Sequence, residues 1–245
     1  MQIWILTGRP RFFATIAGGA RQRMDLAIAM TTAPRRRPTL SRALTSLREA
    51  GFREDVRVFA EPGTFAQLPR LNDKRTRVHE NSFTRGCFGN WKRALKRLLS
   101  RTEARWLLVV QDDAIWSPGA ADVLRGEMHA RQEVPTGFLS PYVTGKDVPE
   151  ECADGWNECR AGWFFWGALA LCMKRVAAEE LLRHPRFVSH QGTQQVDAVV
   201  AASMFDLGLP SFVHVPSLVD HVGETSTLRE DDFAAGLRGY RFGEK

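Results

Sequence analysis

The sequence predicts an α/β fold, an open and mostly parallel sheet flanked by helices. Three observations carry the expectation. Short apolar runs alternate with amphipathic stretches at helical spacing through residues 25–110. The run WLLVV (106–110) is apolar at every position, as a strand buried on both faces must be. It ends on adjacent carboxylates, Asp112 and Asp113, and open α/β sheets bind ligands beyond the carboxyl ends of their strands.

DLAIAMTT (25–32) reads as a buried strand. PTLSRALTSLREAG (38–51) reads as a helix, with Pro38 in its first turn, Leu40, Ala43, Leu44 and Leu47 on one stripe, and Gly51 as its stop. VRVFAE (56–61) and RVHEN (77–81) are the next strands, and FGNWKRALKRLLSR (88–101) repeats the helical pattern through Trp91, Leu95, Leu98 and Leu99. After WLLVV, a helix is expected to follow Ser117-Pro118, with strands at FLSPYV (138–143) and FFWGALALCM (164–173). The second of these leads into a helical stripe of Val176, Leu181 and Leu182. Residues 143–163, polar and Gly-bearing, read as a lid or acceptor loop. QQVDAVVAASMFDLG (194–208) reads as a helix stopped by Gly208, and SFVHVPSLVDHVG (211–223) as a final extended stretch.

A length of 245 residues suits one large domain, expected over 24–245, after a leader at 1–23 expected to be dispensable or a mis-assigned start. That leader, acid-free and interrupted by Arg9 and Arg11, does not make a secretion signal. Apolar runs stay far below about 18 residues, so no integral membrane segment is expected. Cys87, Cys152, Cys159 and Cys172 lack CxxC spacing, which argues against zinc. Cys152 and Cys159 flank ADGWNE and are able to pair in an oxidising compartment, but reduced thiols and a cytoplasmic location are the expectation.

Charge is divided along the chain. Residues 1–106 hold 22 Lys and Arg against 8 Asp and Glu, and residues 107–245 hold 12 against 20. A basic half built near an anionic ligand such as a diphosphate, and an acidic half supplying metal ligands or a base, would account for this, as would ordinary surface variation. Nucleic acid is not expected as a partner, because no aromatics interleave with the RRR of 35–37.

Asp112 and Asp113 pose a physical problem. Two carboxylates at the margin of a core repel each other and lose hydration, so a cation is expected beside them. A divalent ion, Mn2+ or Mg2+, held by one or two carboxylates and completed by phosphate oxygens, is one candidate. It would stabilise charge on a departing diphosphate.

With GCFGNWKRAL at 86–95, LLVVQDDAIW at 107–116, WGALALCMKRVAAEELL at 166–182, QQVDAVV at 194–200 and VPSLVDHVG at 215–223, the chain resembles the Rossmann-like GT-A nucleotide-sugar glycosyltransferases. The ordered motifs sit nearest to family 25, the lipopolysaccharide and collagen-modifying type. Gln111 stands where that family has the first acid of Glu-Asp-Asp, and Asn90-Trp91 where it has Ser-His. The resemblance implies an inverting transfer from a nucleotide-sugar donor, UDP-linked by expectation, to a glycan or other hydroxyl acceptor. It implies Asp113 and His221 as metal ligands with Asp112 behind, and Asp197 as the general base. Thr31, Thr32 and Pro34 would border the nucleoside, and Glu61 would contact base or ribose. Asn90 and Lys92 would face the same crevice, and Trp166, Gly167 and Ala168 would shape the sugar pocket. Each residue also has a plainer reading: turn chemistry for the Thr and Pro, a solvated Lys92, core packing for Trp166, a helix-dipole role for Asp197.

Two rivals belong to other classes. IAGGARQRM (16–24) resembles the Gly-rich phosphate loop of nucleotidyltransferases, although the first Lys of the chain is Lys74. A non-catalytic nucleotide-sugar or glycan-binding module that keeps the fold is the other.

Overall fold

The computed structural model describes residues 25–64, 73–145, 148, 152–159, 167–191, 196–222 and 237–244. The expected leader, its Gly-rich segment and Trp166 lie outside the described residues. In chain order the elements are β1 (Leu26–Thr32), α1 (Leu40–Glu49), β2 (Val56–Ala60), β3 (Thr76–Glu80), α2 (Gly86–Arg101), β4 (Trp106–Gln111), β5 (Ala114–Trp116), α3 (Ala120–Ala130), β6 (Phe138–Ser140) and β7 (Gly155–Glu158). There follow β8 (Ala170–Lys174), α4 (Arg175–Arg183), α5 (Pro185–Ser189), α6 (Val196–Asp206), β9 (Phe212–Val215) and β10 (Val219–His221).

Eight strands form one sheet in the order β3-β2-β1-β4-β8-β6-β9-β7. Pairings β2–β3, β1–β2, β1–β4 and β6–β9 are parallel, and those at β8 and β7 are antiparallel, so the sheet is mixed and mostly parallel, as expected. The order turns back between β1 and β4, which opens a crevice at their carboxyl ends.

Alternation along the central strands explains the two layers. Leu26, Ile28 and Met30 of β1 join Trp106, Leu108 and Val110 of β4 in a core under α1 and α3. Ala27 and Ala29, with Leu107 and Val109, face the other way into a core under α2, α4 and α6. The stripe Leu40, Ala43, Leu44 and Leu47 is the buried face of α1, and Gly51, at φ +102°, turns the chain out of the helix while Phe52 N–H reaches back to Leu47 O. Trp91, Leu95 and Leu98 do the same for α2.

Several expectations are corrected. Pro38 lies ahead of Thr39, the residue that precedes α1, and so outside the helix. Val176 is exposed, because α4 starts at Arg175 and turns Ala177, Ala178 and Leu181 inward instead. Part of the expected lid loop is strand: GWNE pairs antiparallel with β9 and covers its outer edge, with Trp156 edge-on to His214 at 5.1 Å. Finally, AIW directly after the acid pair forms β5, which pairs with β10 to make a separate antiparallel ribbon.

Candidate active site

Asp112 and Asp113 occupy the tight turn between β4 and β5, at the mouth of the β1–β4 crevice. Both are buried. The Asp112 amide donates to Thr31 O at 3.0 Å, and Thr32 Oγ1 donates to Asp112 Oδ2 at 2.6 Å, so the end of β1 fixes this turn. The ribbon brings the far end of the chain to the same point. With His221 in register with Ala114 and Val222 N–H bonded to Asp113 O, His221 Nε2 lies 3.1 Å from Asp113 Oδ2.

The cation that the acid pair demands is in place, and it is Arg35. Its Nη2 donates to Asp112 Oδ1 at 2.8 Å and lies 2.9 Å from Asp113 Oδ2, while Nε reaches Asp112 Oδ2 at 3.3 Å. A guanidinium presents its donors in a fixed fork, which suits two carboxylates side by side. Burial pushes Asp112 above the ordinary carboxylate range, against the Arg35 charge, and the Asp113 charge adds to the rise. Burial raises Asp113 too, but the His221 hydrogen bond and the Arg35 and His221 charges outweigh it and bring the group down to about 2. Asp113 is thus the more acidic member of the pair.

One oxygen of that member has no partner. Asp113 Oδ1 and His221 Nδ1 are both buried without a hydrogen bond, and a buried polar atom left so is an invitation to a ligand. Among the described residues no group of three or more His, Cys, Asp or Glu side chains converges as a metal cage. A divalent ion held by Asp113 and His221 would need phosphate oxygens and water to complete its shell.

The remaining expected residues divide. Glu61 is buried after β2, its amide bonded to Thr32 O, and Oε2 accepts from the Arg85 amide at 2.9 Å while Oε1 has no partner. It thus sits beside the end of β1 with one oxygen to offer. Pro34 is exposed on the same edge, near Gly63. Gly167 and Ala168 are buried just before β8, where Ala168 O accepts from Gln111 Nε2 at 3.2 Å. Gln111 thus spans to the β8 side in place of adding a third acid.

Asn90 and Lys92, expected at the crevice, are both engaged with other parts of the protein. Asn90 is buried with its amide consumed: Nδ2 donates to Phe59 O at 2.9 Å and Thr32 O at 3.5 Å, and Oδ1 accepts from Asn81. It braces α2 against the ends of β1 and β2. Lys92, two residues on and on the other side of α2, lies over the Phe88 and Phe187 rings and donates to Phe187 O.

Asp197 is in the first turn of α6, with Oδ1 accepting from the Ala198 amide at 3.0 Å. Its relation to the acid pair is read through Cys87, in the first turn of α2. Burial first, then the charges of Asp113, Asp197 and Asp112 against that of Arg35, push the Cys87 thiol up to about 12. The Cys87 thiol feels the charges of Asp113, Asp197, Asp112 and Arg35. The sequence reading passed over Cys87 and Arg35. Arg35 was hidden in RRR, where composition gives no way to tell one arginine from the next.

No protein-family model matches the sequence, and no curated protein matches it. Many solved structures resemble the chain. One is a crystal structure titled as a mannose-1-phosphate geranyltransferase from Thermus thermophilus, 16% identical, with a TM-score of 0.49, covering 78% of this chain and 74% of its own. Another is titled as a cytidylyltransferase from Leptospira borgpetersenii serovar Hardjo-bovis, 12% identical, with a TM-score of 0.48, covering 78% of this chain and 76% of its own. At this level of likeness the two structures decide nothing about activity.

Proposed function

We propose that the chain is a transferase acting on a nucleotide-linked substrate, and that it moves a sugar from a nucleotide-diphosphate donor to a hydroxyl acceptor. The observation that carries this reading is the ionised, buried Asp113 with an unpartnered oxygen, set beside His221 at the switch point of the sheet. Asp113 and His221 would hold Mn2+ or Mg2+, whose charge would stabilise the leaving diphosphate. Arg35 keeps Asp112 and Asp113 together and supplies a fixed positive charge beside the phosphates. Glu61, with its bare Oε1, and the Thr31–Thr32 strand end border the nucleoside. Asp197 takes the proton of the acceptor hydroxyl as its oxygen attacks the anomeric carbon, the bond from that carbon to the phosphate oxygen breaks, and the configuration inverts.

Product analysis tests the reading. The full chain is incubated with Mn2+ and a panel of UDP-, GDP-, CMP- and dTDP-linked sugars, with and without simple glycan acceptors. Release of nucleoside diphosphate from a UDP-, GDP- or dTDP-sugar, or of CMP from a CMP-sugar, supports glycosyl transfer. The second reading, nucleotidyl transfer, predicts instead that a sugar phosphate and a nucleoside triphosphate yield pyrophosphate and a nucleotide sugar. Saturable nucleotide-sugar binding without either product would make the protein a binding module.

A further inference from the structure

A second concentration of charge lies away from the carboxylate crevice. Arg57 and Arg77 are register partners on β2 and β3, and Phe59 and His79 are the next pair on the same face of the sheet. That face is the one α2 packs on, since Phe59 belongs to its core while Val56, Val58 and Val78 turn to the other. The Phe59 ring stacks on His79 at 5.5 Å, and the Arg93 guanidinium of α2 lies 5.8 Å from the Phe59 centroid. Arg97 follows Arg93 by one helical turn, on the same side of α2.

Among the described residues no acid pairs with these bases. Burial first, and then Arg57, Arg93, Arg97 and Arg77 in that order, hold His79 below its ordinary range. Glu61 acts on Arg93 from the far end of β2, yet among the described residues no carboxylate forms an ion pair with any of the four arginines. Arg93 Nη1 is buried with no hydrogen-bond acceptor. Arg77 and Arg97 are exposed, so the cluster is open to solvent.

Repelling guanidinium groups held together, one of them with a bare buried N–H, call for an anion with several oxygens. A phosphate group satisfies them best, because its oxygens accept forked donors from more than one arginine at once. We propose that Arg57, Arg77, Arg93 and Arg97, gathered round His79 on the α2 face of β2 and β3, form a second anion site that takes a phosphate-bearing ligand. It shares no residue with the Asp113–His221 pair and does not depend on the transferase reading.

The test follows the His79 ring signals by NMR while inorganic pyrophosphate is added to the full chain at fixed ionic strength. A saturable shift is expected, and the Arg77→Gln/Arg97→Gln variant, altered only at exposed positions, should weaken it at least ~10-fold, the equivalent of one charge-assisted hydrogen bond. Flotation with phosphatidylcholine vesicles carrying phosphatidic acid identifies the source. Retention that the variant loses assigns a lipid headgroup, and pyrophosphate binding without retention assigns a soluble phosphorylated ligand. No saturable response from either probe, or one that the variant retains in full, overturns the proposal. Mn2+-dependent nucleotide binding by the same variant reports on the crevice independently.

Discussion

Replacing Arg35 by Met removes the charge between two buried carboxylates while keeping the length of the side chain. Deleting one partner of a buried ion pair costs on the order of 3–5 kcal/mol, because the charge left behind has lost both water and partner. Here two carboxylates would be left, and the loss would be limited by proton uptake. Asp112 already stands above the ordinary carboxylate range through burial and the Asp113 charge, and it rises further without Arg35. An acid whose folded-state pKa exceeds its unfolded value lowers stability as pH rises through the interval between them. Arg35→Met is therefore expected to lose about 3 kcal/mol at pH 7 and distinctly less near pH 5. Adding Asp112→Asn should recover roughly 1–2 kcal/mol of that loss at pH 7, since the neutral amide needs no counter-charge. Urea unfolding of the full chain, followed by tryptophan fluorescence at both pH values, measures all four corners of the cycle. A loss under about 1 kcal/mol at pH 7, or no recovery in the double variant, would refute the view that Arg35 is the required counter-ion.

Other expectations follow from the same geometry. Asn90→Leu leaves the Asn81 side-chain amide without its partner, removes a donor from the Phe59 carbonyl, and should cost about 2–3 kcal/mol in thermal unfolding, with the far-UV spectrum unchanged. Asp197→Asn should slow transfer by roughly 10²–10⁴-fold with donor affinity nearly unchanged, and a drop under about tenfold would leave Asp197 a helix-terminus residue. Asp73 is kept below the ordinary range, since burial, which would raise it, is outweighed by hydrogen bonds from Thr76, Arg48 and the Arg75 amide. Its contribution is present above the unfolded carboxylate value and disappears as pH falls through the lower folded one, so Asp73→Asn should flatten the acid limb of the stability profile below about pH 4.

Much of the first half of the fold was legible because local periodicity and burial agree there. β1 to β4, α1 and α2 each carry a run long enough to show its period, and the apolar WLLVV announced a central strand. β5 follows the acid pair with only three residues and no period to read, so it was missed although its pairing with β10 sets the Asp113–His221 contact. β7 hid in a polar loop because it is an edge strand, with every residue partly or fully exposed. The acid pair and His221 could be picked out by type and position. Arg35 could not, for it meets Asp112 across 77 residues of sequence and its neighbours Arg36 and Arg37 look the same. Asn90 was recognised as placed at the right helix but not as spent on backbone carbonyls, a fact that needs the ends of β1 and β2 to be in view.

The central claim is that Asp113 and His221 make the β1–β4 crevice a metal-dependent nucleotide site, and calorimetric titration of UDP and the other nucleoside diphosphates tests it most directly. The account predicts saturable binding of at least one nucleotide that requires Mn2+ or Mg2+ and is lost in a folded Asp113→Ala variant. Binding that ignores the metal, or that survives undiminished in the variant, would contradict it.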